Sequence, residues 1–255
     1  MTSMDDMTQN APLAAPAAAG PIADSGRAAY QAVIFDWDGT LLDSTHHIVG
    51  ALIGACRDLR LREPTREQAG WVIGLSLQTA LYQLVPELRA DQVDAFAERY
   101  KTHFRRLLAD MHLFDGQAQL LRDLHAQGVA LAVATGKSRL GLDTSMERLG
   151  LQDLFRATRT VDEARGKPDP DMLEQLLVEL DLAPGAVLMV GDTTHDVLMA
   201  KAAGIDSLAV SYGAHRASLL ESAQPTALVG TVPDMQAWIR ARVVPGGPAR
   251  EVVNS

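Results

Sequence analysis

Short, continuous apolar runs alternate with helical patterns along most of this chain, and this alternation limits the possible folds more than any other feature. The runs lie at residues 32–35, 129–134, 186–190 and 207–210, with a weaker one at 227–229. Apolar runs without polar alternation are typical of strands buried on both faces of a sheet. Because helical patterns separate them, the sequence predicts a parallel α/β sheet.

Apolar residues recur at helical spacing in the intervals between these runs. The spacing predicts helices over residues 117–127, 140–149, 171–180 and 194–203. The interval from Asp43 to Phe114 differs, because its roughly seventy residues have helical character and contain no strand. A block of that length is too long for a loop. Since it follows the first strand and ends before the second, we expect a helical cap above the carboxyl edge of the sheet.

These patterns divide the chain into a core, a cap and two tails. We expect an α/β core at residues 28–45 and 114–240 and a helical cap at residues 46–113. The Ala- and Pro-rich ends, residues 1–27 and 241–255, are predicted to be flexible tails. Asp5 and Asp6 precede the apolar N-terminal stretch where a signal peptide carries cations, so we expect a cytoplasmic protein.

Composition excludes several classes of protein. Hydrophobic residues make up 47% of the 255 residues, which is enough for a sizeable core. Cys56 is the single cysteine, so no intrachain disulfide forms and a reducing compartment is expected. The net charge of −9 disfavours general binding to nucleic acid or to anionic membranes. We expect a monomer or a homodimer.

Polar and small residues gather where the predicted strands end, which is the edge at which open α/β sheets bind ligands. The candidate site residues there, or in the connections between the strands, are Asp36, Asp38, Gly39, Thr40, Thr135, Gly136, Lys167, Gly191, Asp192 and Asp196. Alternate residues of an extended chain point the same way, so Asp36 and Asp38 are expected roughly 6–7 Å apart.

Carboxylates gathered this closely repel one another unless a cation is present, and all-oxygen ligation suits Mg²⁺. The Gly39 amide and the hydroxyls of Thr40 and Thr135 are candidate donors to phosphoryl oxygens, and Lys167 supplies a positive charge. A metal site, anion donors and a free carboxylate together indicate phosphoryl transfer with an aspartate nucleophile.

Residues 35–44, with the sequence FDWDGTLLDS, resemble the first motif of the haloacid dehalogenase superfamily. Thr135 resembles the second motif, Lys167 with Pro168 the third, and residues 191–196 the fourth, in the same order and spacing. The resemblance covers about residues 31–215 and implies a Rossmann-like parallel sheet. The predicted cap resembles the small helical cap of phosphoglycolate phosphatases and β-phosphoglucomutase.

This resemblance implies a role for each matching position. Asp36 corresponds to a nucleophile that forms an aspartyl-phosphate, and Asp38 to the general acid and then base. Thr135 and Lys167 bind the phosphoryl group, together with Gly39, Thr40 and Gly136. Asp36, the Asp38 backbone carbonyl and Asp192 are the implied ligands of Mg²⁺. Asp196 either supports the waters of the metal, positions Lys167 or is a first-turn acid of a helix.

Four functions stay open at this point. The first is a Mg²⁺-dependent phosphatase acting on a small phosphorylated metabolite such as phosphoglycolate, and the second is a phosphotransferase of the β-phosphoglucomutase type. Dehalogenation is a third, but it needs neither Mg²⁺ nor a second aspartate, so Asp38 and Asp192 argue against it. A non-catalytic binding module is the fourth, and it is disfavoured because every catalytic group is present.

Other conspicuous residues are expected to have ordinary structural roles. Lys137 is predicted to be solvated, His195 to lie in a loop, and Cys56 to be a small core residue. Trp37 is expected to pack away from the site, because its neighbours alternate toward it. The turn at residues 72–76 is expected to bring backbone N–H groups toward the site.

Overall fold

A computed structural model of the chain describes residues 29–86 and 88–245. Six parallel strands form one sheet in the order β3–β2–β1–β4–β5–β6. The strands are β1 (Ala32–Phe35), β2 (Ala130–Ala134), β3 (Ala157–Arg159), β4 (Val187–Gly191), β5 (Asp206–Val210) and β6 (Ala227–Val229). The predicted parallel α/β fold is therefore confirmed.

The first strand lies in the middle of the sheet, and its position determines where a ligand binds. It pairs with β2 on one side and with β4 on the other, so that Phe35 is level with both Val133 and Val190. The chain moves outward from β1 in one direction through β2 and β3, and in the other through β4, β5 and β6. A crevice opens at the carboxyl edge of a parallel sheet where the strand order reverses in this way.

Helices cover both faces of the sheet, because both faces are apolar. The helices of this core are α5 (Gln117–Ala126), α6 (Arg139–Leu149), α7 (Asp171–Leu180), α8 (Thr194–Ala202), α9 (Ala217–Ser222) and α10 (Val232–Arg240). Buried residues of α5, α6 and α10 pack on one face, and those of α7 and α8 pack on the other.

The inserted block is helical and has a hydrophobic core of its own. It contains α1 (Thr45–Asp58), α2 (Arg66–Trp71), α3 (Leu77–Leu84) and α4 (Val93–Leu107). Leu52, Leu81 and Phe96 are buried in this second core, and Cys56 lies there as predicted. Because the cap packs around itself, it forms a unit beside the sheet rather than an extension of the core.

Two features at the margins of the sheet differ from the sequence prediction. The strand β3 was not predicted, because its three residues, Ala-Thr-Arg, have no apolar run. The core also continues past Arg240, where a tail was predicted. The backbone amide of Val244 donates to the Tyr30 carbonyl, and the backbone amide of Tyr30 donates to the Arg242 carbonyl. The predicted N-terminal tail and residues 246–255 lie outside the described residues.

Trp37 packs away from the carboxyl edge of the sheet, as predicted. Its side chain is fully buried, the indole Nε1 donates to Ser145 Oγ at 3.0 Å, and the ring meets Phe155 edge-on. The residues on either side of it therefore turn toward the crevice. Among the described helices, none combines the length and apolar character needed to cross a bilayer.

Candidate active site

Three neighbouring strands bring the predicted site residues together. Asp36 directly follows β1, Thr135 follows β2 and Asp192 follows β4. Their backbones continue the sheet, since the Asp36 amide donates to the Val190 carbonyl at 2.9 Å and the Thr135 amide to the Arg159 carbonyl at 3.0 Å. The hydrogen bonds of the sheet thus hold the backbone at Asp36 and Thr135.

Three buried carboxylates form the centre of the site. Asp36, Asp192 and Asp196 each offer an oxygen within 4.8 Å of the others, and each residue is at most 1% exposed. Asp36 Oδ2 has no hydrogen-bond partner among the described residues. Burial and the charges of Asp196 and Asp38 raise the pKa of Asp36 to about 7, although Lys167 opposes this shift. Burial, followed by the charges of Asp36 and Asp196, also raises the pKa of Asp192.

This cluster fits a hard divalent cation. An unpartnered carboxylate oxygen beside two further carboxylates has unused capacity to bind a positive charge, and hard cations prefer such oxygen ligands. Burial is the first cause of the raised pKa values, and repulsion between the neighbouring negative charges adds to it.

A single buried ammonium group lies against this cluster. Lys167 Nζ is 2.7 Å from Asp36 Oδ1 and 2.6 Å from Asp196 Oδ1. Burial alone lowers the pKa of a lysine, but the adjacent carboxylates outweigh it and raise the pKa of Lys167, so the ammonium form persists. The sequence prediction that Lys167 supplies positive charge at this edge agrees with its position.

Asp196 has two structural roles that the sequence left as alternatives. Its Oδ1 accepts the bond from Lys167, and its Oδ2 accepts from the Thr193 amide and hydroxyl at 3.0 and 2.7 Å. The second interaction is part of a capping box at the start of α8. Asp196 therefore fixes the first turn of α8 and positions Lys167 at the same time.

Glycines leave the space that Asp192 occupies. Gly39 has a φ of +80°, and a β-carbon there would lie 2.2 Å from Asp192 Oδ2. A β-carbon on Gly213 would approach the same oxygen as closely. Thr40 Oγ1 donates to Asp192 Oδ1 at 3.0 Å, and the Ala214 amide donates to Oδ2 at 2.6 Å. The carboxylate is thereby held in one orientation.

Gly39 and Thr40 reach the site, but in a different role from the one expected. The Gly39 amide donates to the Leu42 carbonyl at 2.8 Å, and the Thr40 hydroxyl is engaged by Asp192. These two donors therefore shape the loop and orient a carboxylate instead of facing phosphoryl oxygens. The cause is the tight turn after β1, which closes on itself over residues 38–42.

Asp38 points away from the carboxylate cluster. Its carboxylate accepts from Ser44 Oγ at 2.7 Å and from Lys137 Nζ at 2.9 and 3.0 Å. The metal role predicted for Asp38 concerned its backbone carbonyl and stays a prediction. The side chain borders the cavity between cap and core.

Lys137 was predicted to be solvated, and this prediction is wrong. Its side chain is only 10% exposed, because it bridges Asp38 and the Phe104 ring of the cap, whose centroid lies 5.0 Å from Nζ. The sequence feature that could have indicated this contact is the position of Lys137, two residues beyond Thr135.

Thr135 is buried, and its hydroxyl accepts a hydrogen bond from the Lys137 amide at 3.3 Å, whereas Ser138 caps α6.

The cap turn at residues 72–76 reaches the core, as expected, but with the opposite polarity. A β-carbon on Gly136 would lie 2.4 Å from the Gly74 carbonyl oxygen and 2.6 Å from that of Leu75. Carbonyl oxygens, rather than N–H groups, therefore face Gly136. Gly74 adopts a φ of +88° in this turn and lies against Thr193. Gly136 is thus a contact point for the cap.

A second cap contact involves two histidines. The Trp71 carbonyl at the end of α2 accepts from His195 Nε2 at 3.0 Å and from His215 Nε2 at 3.1 Å, and the Trp71 ring stacks on His215. Burial lowers the pKa of both histidines and so favours their neutral forms. His195 was predicted to lie in a loop, but it is a buried residue of α8. The sequence alone gave no signal for this contact.

Comparison with known proteins matches residues 33–210 to the family described as haloacid dehalogenase-like hydrolase. The "Probable phosphatase IndB" of Dickeya dadantii (strain 3937) is 37% identical over 204 residues, which are 78% of this chain and 89% of that protein. The tyrosine-protein kinase PtkA of Mycobacterium tuberculosis (strain ATCC 25618 / H37Rv) is 34% identical over 77% of this chain and 67% of its own length. A phosphoglycolate phosphatase of Aliivibrio fischeri (strain ATCC 700601 / ES114) is 33% identical over 76% of this chain and 89% of its own length.

The contact between Gly136 and the cap turn leads to a first prediction. Gly136→Ala places a methyl group where the Gly74 and Leu75 carbonyls lie, so the cap is displaced from the site. We expect at least a tenfold loss of kcat/KM for a phosphomonoester and faster proteolysis between cap and core. Gly50→Ala in α1 is the matched control, because a β-carbon there meets no atom within 4 Å. Equal kcat/KM for the two variants would contradict this role of Gly136.

Proposed function

This chain belongs to the haloacid dehalogenase-like hydrolase family, and from that premise we propose that it is a Mg²⁺-dependent phosphatase. Its substrate is a phosphomonoester, and Asp36 is the nucleophile. The observation that carries the proposal is the buried Asp36 carboxylate, which has one unpartnered oxygen and lies between Lys167 and two further carboxylates. The names of two relatives, which describe phosphatases, support the same activity.

Asp36 and Asp192 are the proposed metal-binding side chains, with the Asp38 carbonyl as a further ligand and Asp196 beside them. When bound, the metal supplies positive charge that offsets both the carboxylates and the phosphoryl oxygens. Lys167, which is paired with Asp36, adds a positive charge beside the phosphoryl group. Thr135, which directly follows β2 and lines the cavity with Asp36, is the proposed hydroxyl donor to the phosphoryl group.

The proposed reaction has two steps, each using Asp36 and Asp38. In the first, which starts with Asp38 in its protonated form, an Asp36 oxygen bonds to phosphorus, the bond to the ester oxygen breaks, and Asp38 gives that oxygen its proton and becomes a carboxylate. In the second, Asp38 takes a proton from water, the water oxygen bonds to phosphorus, and the bond to Asp36 breaks. Inorganic phosphate and the alcohol are the products, and both aspartates return to their starting states.

Lys137 has a positioning role in this scheme. It holds both oxygens of Asp38 on the cavity side, away from the carboxylate cluster. A carboxylate left free to rotate would also be drawn toward the bound metal. We infer that Lys137 and Ser44 keep Asp38 available to the leaving oxygen.

Phosphoryl transfer to an acceptor other than water is the second candidate function. One relative is named as a kinase, and the contact between Gly136 and the cap turn is compatible with shielding the site from water. The two functions differ in product, since a phosphatase releases inorganic phosphate without an acceptor and a transferase requires one. Dehalogenation is not favoured, because it needs no second aspartate beside the nucleophile, whereas Asp38 lines the same cavity as Asp36.

The role of Asp36 leads to a second prediction. In Asp36→Asn the amide cannot act as the nucleophile, so phosphate release from 4-nitrophenyl phosphate with Mg²⁺ should fall at least about 10³-fold. Asp43→Asn is the matched control, because Asp43 is an exposed acid of the same segment. Acid quenching during turnover should trap phosphate on the wild-type protein and none on Asp36→Asn. Ordinary turnover by Asp36→Asn would refute the covalent mechanism.

The raised pKa of Asp36 leads to a third prediction. Protons compete with Mg²⁺ for a carboxyl group with a pKa of about 7, so protonation weakens metal binding below that pH and ceases to matter above it. Mg²⁺ affinity should therefore increase about tenfold between pH 6 and pH 8. Titration calorimetry with MgCl₂ measures this, and Asp36→Asn should flatten the dependence. An affinity that stays constant in the wild-type protein would exclude Asp36 as a titrating ligand.

A further inference from the structure

A cavity of about 660 Å³ lies between the cap and the core and ends at Asp36 and Asp38. Cavities of this size accommodate ligands as large as drug molecules. A phosphoryl group with a two-carbon alcohol fills only a small part of it, since each water-sized portion is about 30 Å³. The dimensions of the cavity therefore indicate a leaving group larger than glycolate.

The inner wall of the cavity is apolar. Leu52 of α1, Ala80 of α3 and Leu75 of the cap turn are buried residues that line it. Among the described lining residues, Lys137 is the cation of the inner wall, and Asp38 already occupies it. A carboxylate on the leaving group therefore finds no unpaired cation next to the phosphoryl site, whereas an apolar group gains by leaving water.

The cations that remain lie at the mouth. Lys101, Arg105 and Arg148 line the cavity and are exposed. The chain as a whole has a net charge of −9, so three cations at one entrance differ from the average charge of the protein. Their positive charge attracts a phosphate dianion to this entrance. Positive charge at the mouth of the cavity and apolar surface on its inner wall suit a substrate with one anionic end and one apolar end.

Two aromatic rings of α4 face this cavity. Tyr100 and Phe104 are one helical turn apart, and their rings stack at 5.7 Å with 25° between their planes. Both rings line the same cavity as Asp36 and Asp38, so they lie on a wall that continues to the reacting end. Stacked rings of this kind offer a flat surface to another ring.

We propose that the leaving alcohol of the substrate carries an apolar group the size of an aromatic ring, which is bound against Tyr100 and Phe104. This inference rests on the proposed phosphatase function and adds the class of substrate to it. Tyr100 and Phe104 are then specificity-determining residues of the cap. The core holds the phosphoryl group irrespective of the alcohol attached to it.

A pair of esters tests this inference. Ethyl phosphate and 2-phenylethyl phosphate differ by one phenyl ring and have alcohols of similar acidity, so the ring alone changes kcat/KM. Burial of a phenyl ring in an apolar site should favour the larger ester roughly thirty- to hundredfold. The non-hydrolysable analogues propylphosphonate and 3-phenylpropylphosphonate should differ by a similar factor in Kd, measured by titration calorimetry with Mg²⁺ present.

Variants locate the bound ring. Tyr100→Ala and Phe104→Ala should each lower the phenylethyl-to-ethyl ratio about tenfold. Tyr82→Ala is the control, because Tyr82 is an aromatic residue of the cap that is 44% exposed and does not line the cavity. Circular dichroism and the thermal midpoint show whether each variant is folded. If both lining variants fail to fold, the ester and phosphonate ratios of the wild-type protein still decide the question.

The outcomes separate this inference from the proposed function. Wild-type ratios below about threefold in both turnover and binding would overturn it, as would a large ratio that neither lining variant changes. Absence of phosphate release from both esters would refute the phosphatase function. In that case tighter binding of 3-phenylpropylphosphonate would still support the assignment of the cavity, and equal binding would refute both.

Discussion

The structure depends on the burial of three carboxylates around one ammonium group. Asp36, Asp192 and Asp196 are almost completely excluded from water, and Lys167 balances only part of their charge. Burying unbalanced charge is costly, so the surrounding structure has to orient every oxygen and leave room for a cation. The parallel sheet with β1 at its centre meets this need, because the ends of adjacent strands hold the groups rigidly. The glycine at position 39 and the capping box of α8 complete the arrangement.

The same charges explain why the chain has a separate cap. A charged site that faces bulk water loses electrostatic strength, whereas a covered site retains it. The cap has its own hydrophobic core, and Phe104, Leu107 and Leu108 at the end of α4 also pack against the apolar cluster of the sheet. Two backbone contacts add to this apolar contact. The Gly74 carbonyl lies against Gly136, and the Trp71 carbonyl accepts from His195 and His215. These contacts hold the cap over the crevice that contains the buried carboxylates.

The strands and the motif residues were predictable from the sequence, because both are local. Buried parallel strands appear as apolar runs, and the residues directly after them lie at the carboxyl edge whatever the rest of the chain does. The pairing of Lys137 with Asp38 was not predictable, since it needs the distance between two strand ends and a cap ring beside them. The short edge strand β3 lacks an apolar run, because only Ala157 of its three residues is buried. The histidine contact with Trp71 joins segments far apart in the chain.

The core is proposed to hold the phosphoryl group and the cap to hold the alcohol, and this difference follows from the positions of their residues. Groups that hold a phosphoryl unit must be rigid and charged, and strand ends next to Lys167 provide both properties. Groups that hold an alcohol must differ between relatives with a common reaction, and helices of a separately packed cap can change without altering the sheet. Lys137 stands where the two parts meet, because its ammonium group contacts Asp38 of the core and the Phe104 ring of the cap. A change in the cap that moves Phe104 therefore also reaches Asp38, the proposed proton donor, so the proposed binding of the alcohol and its protonation are physically linked.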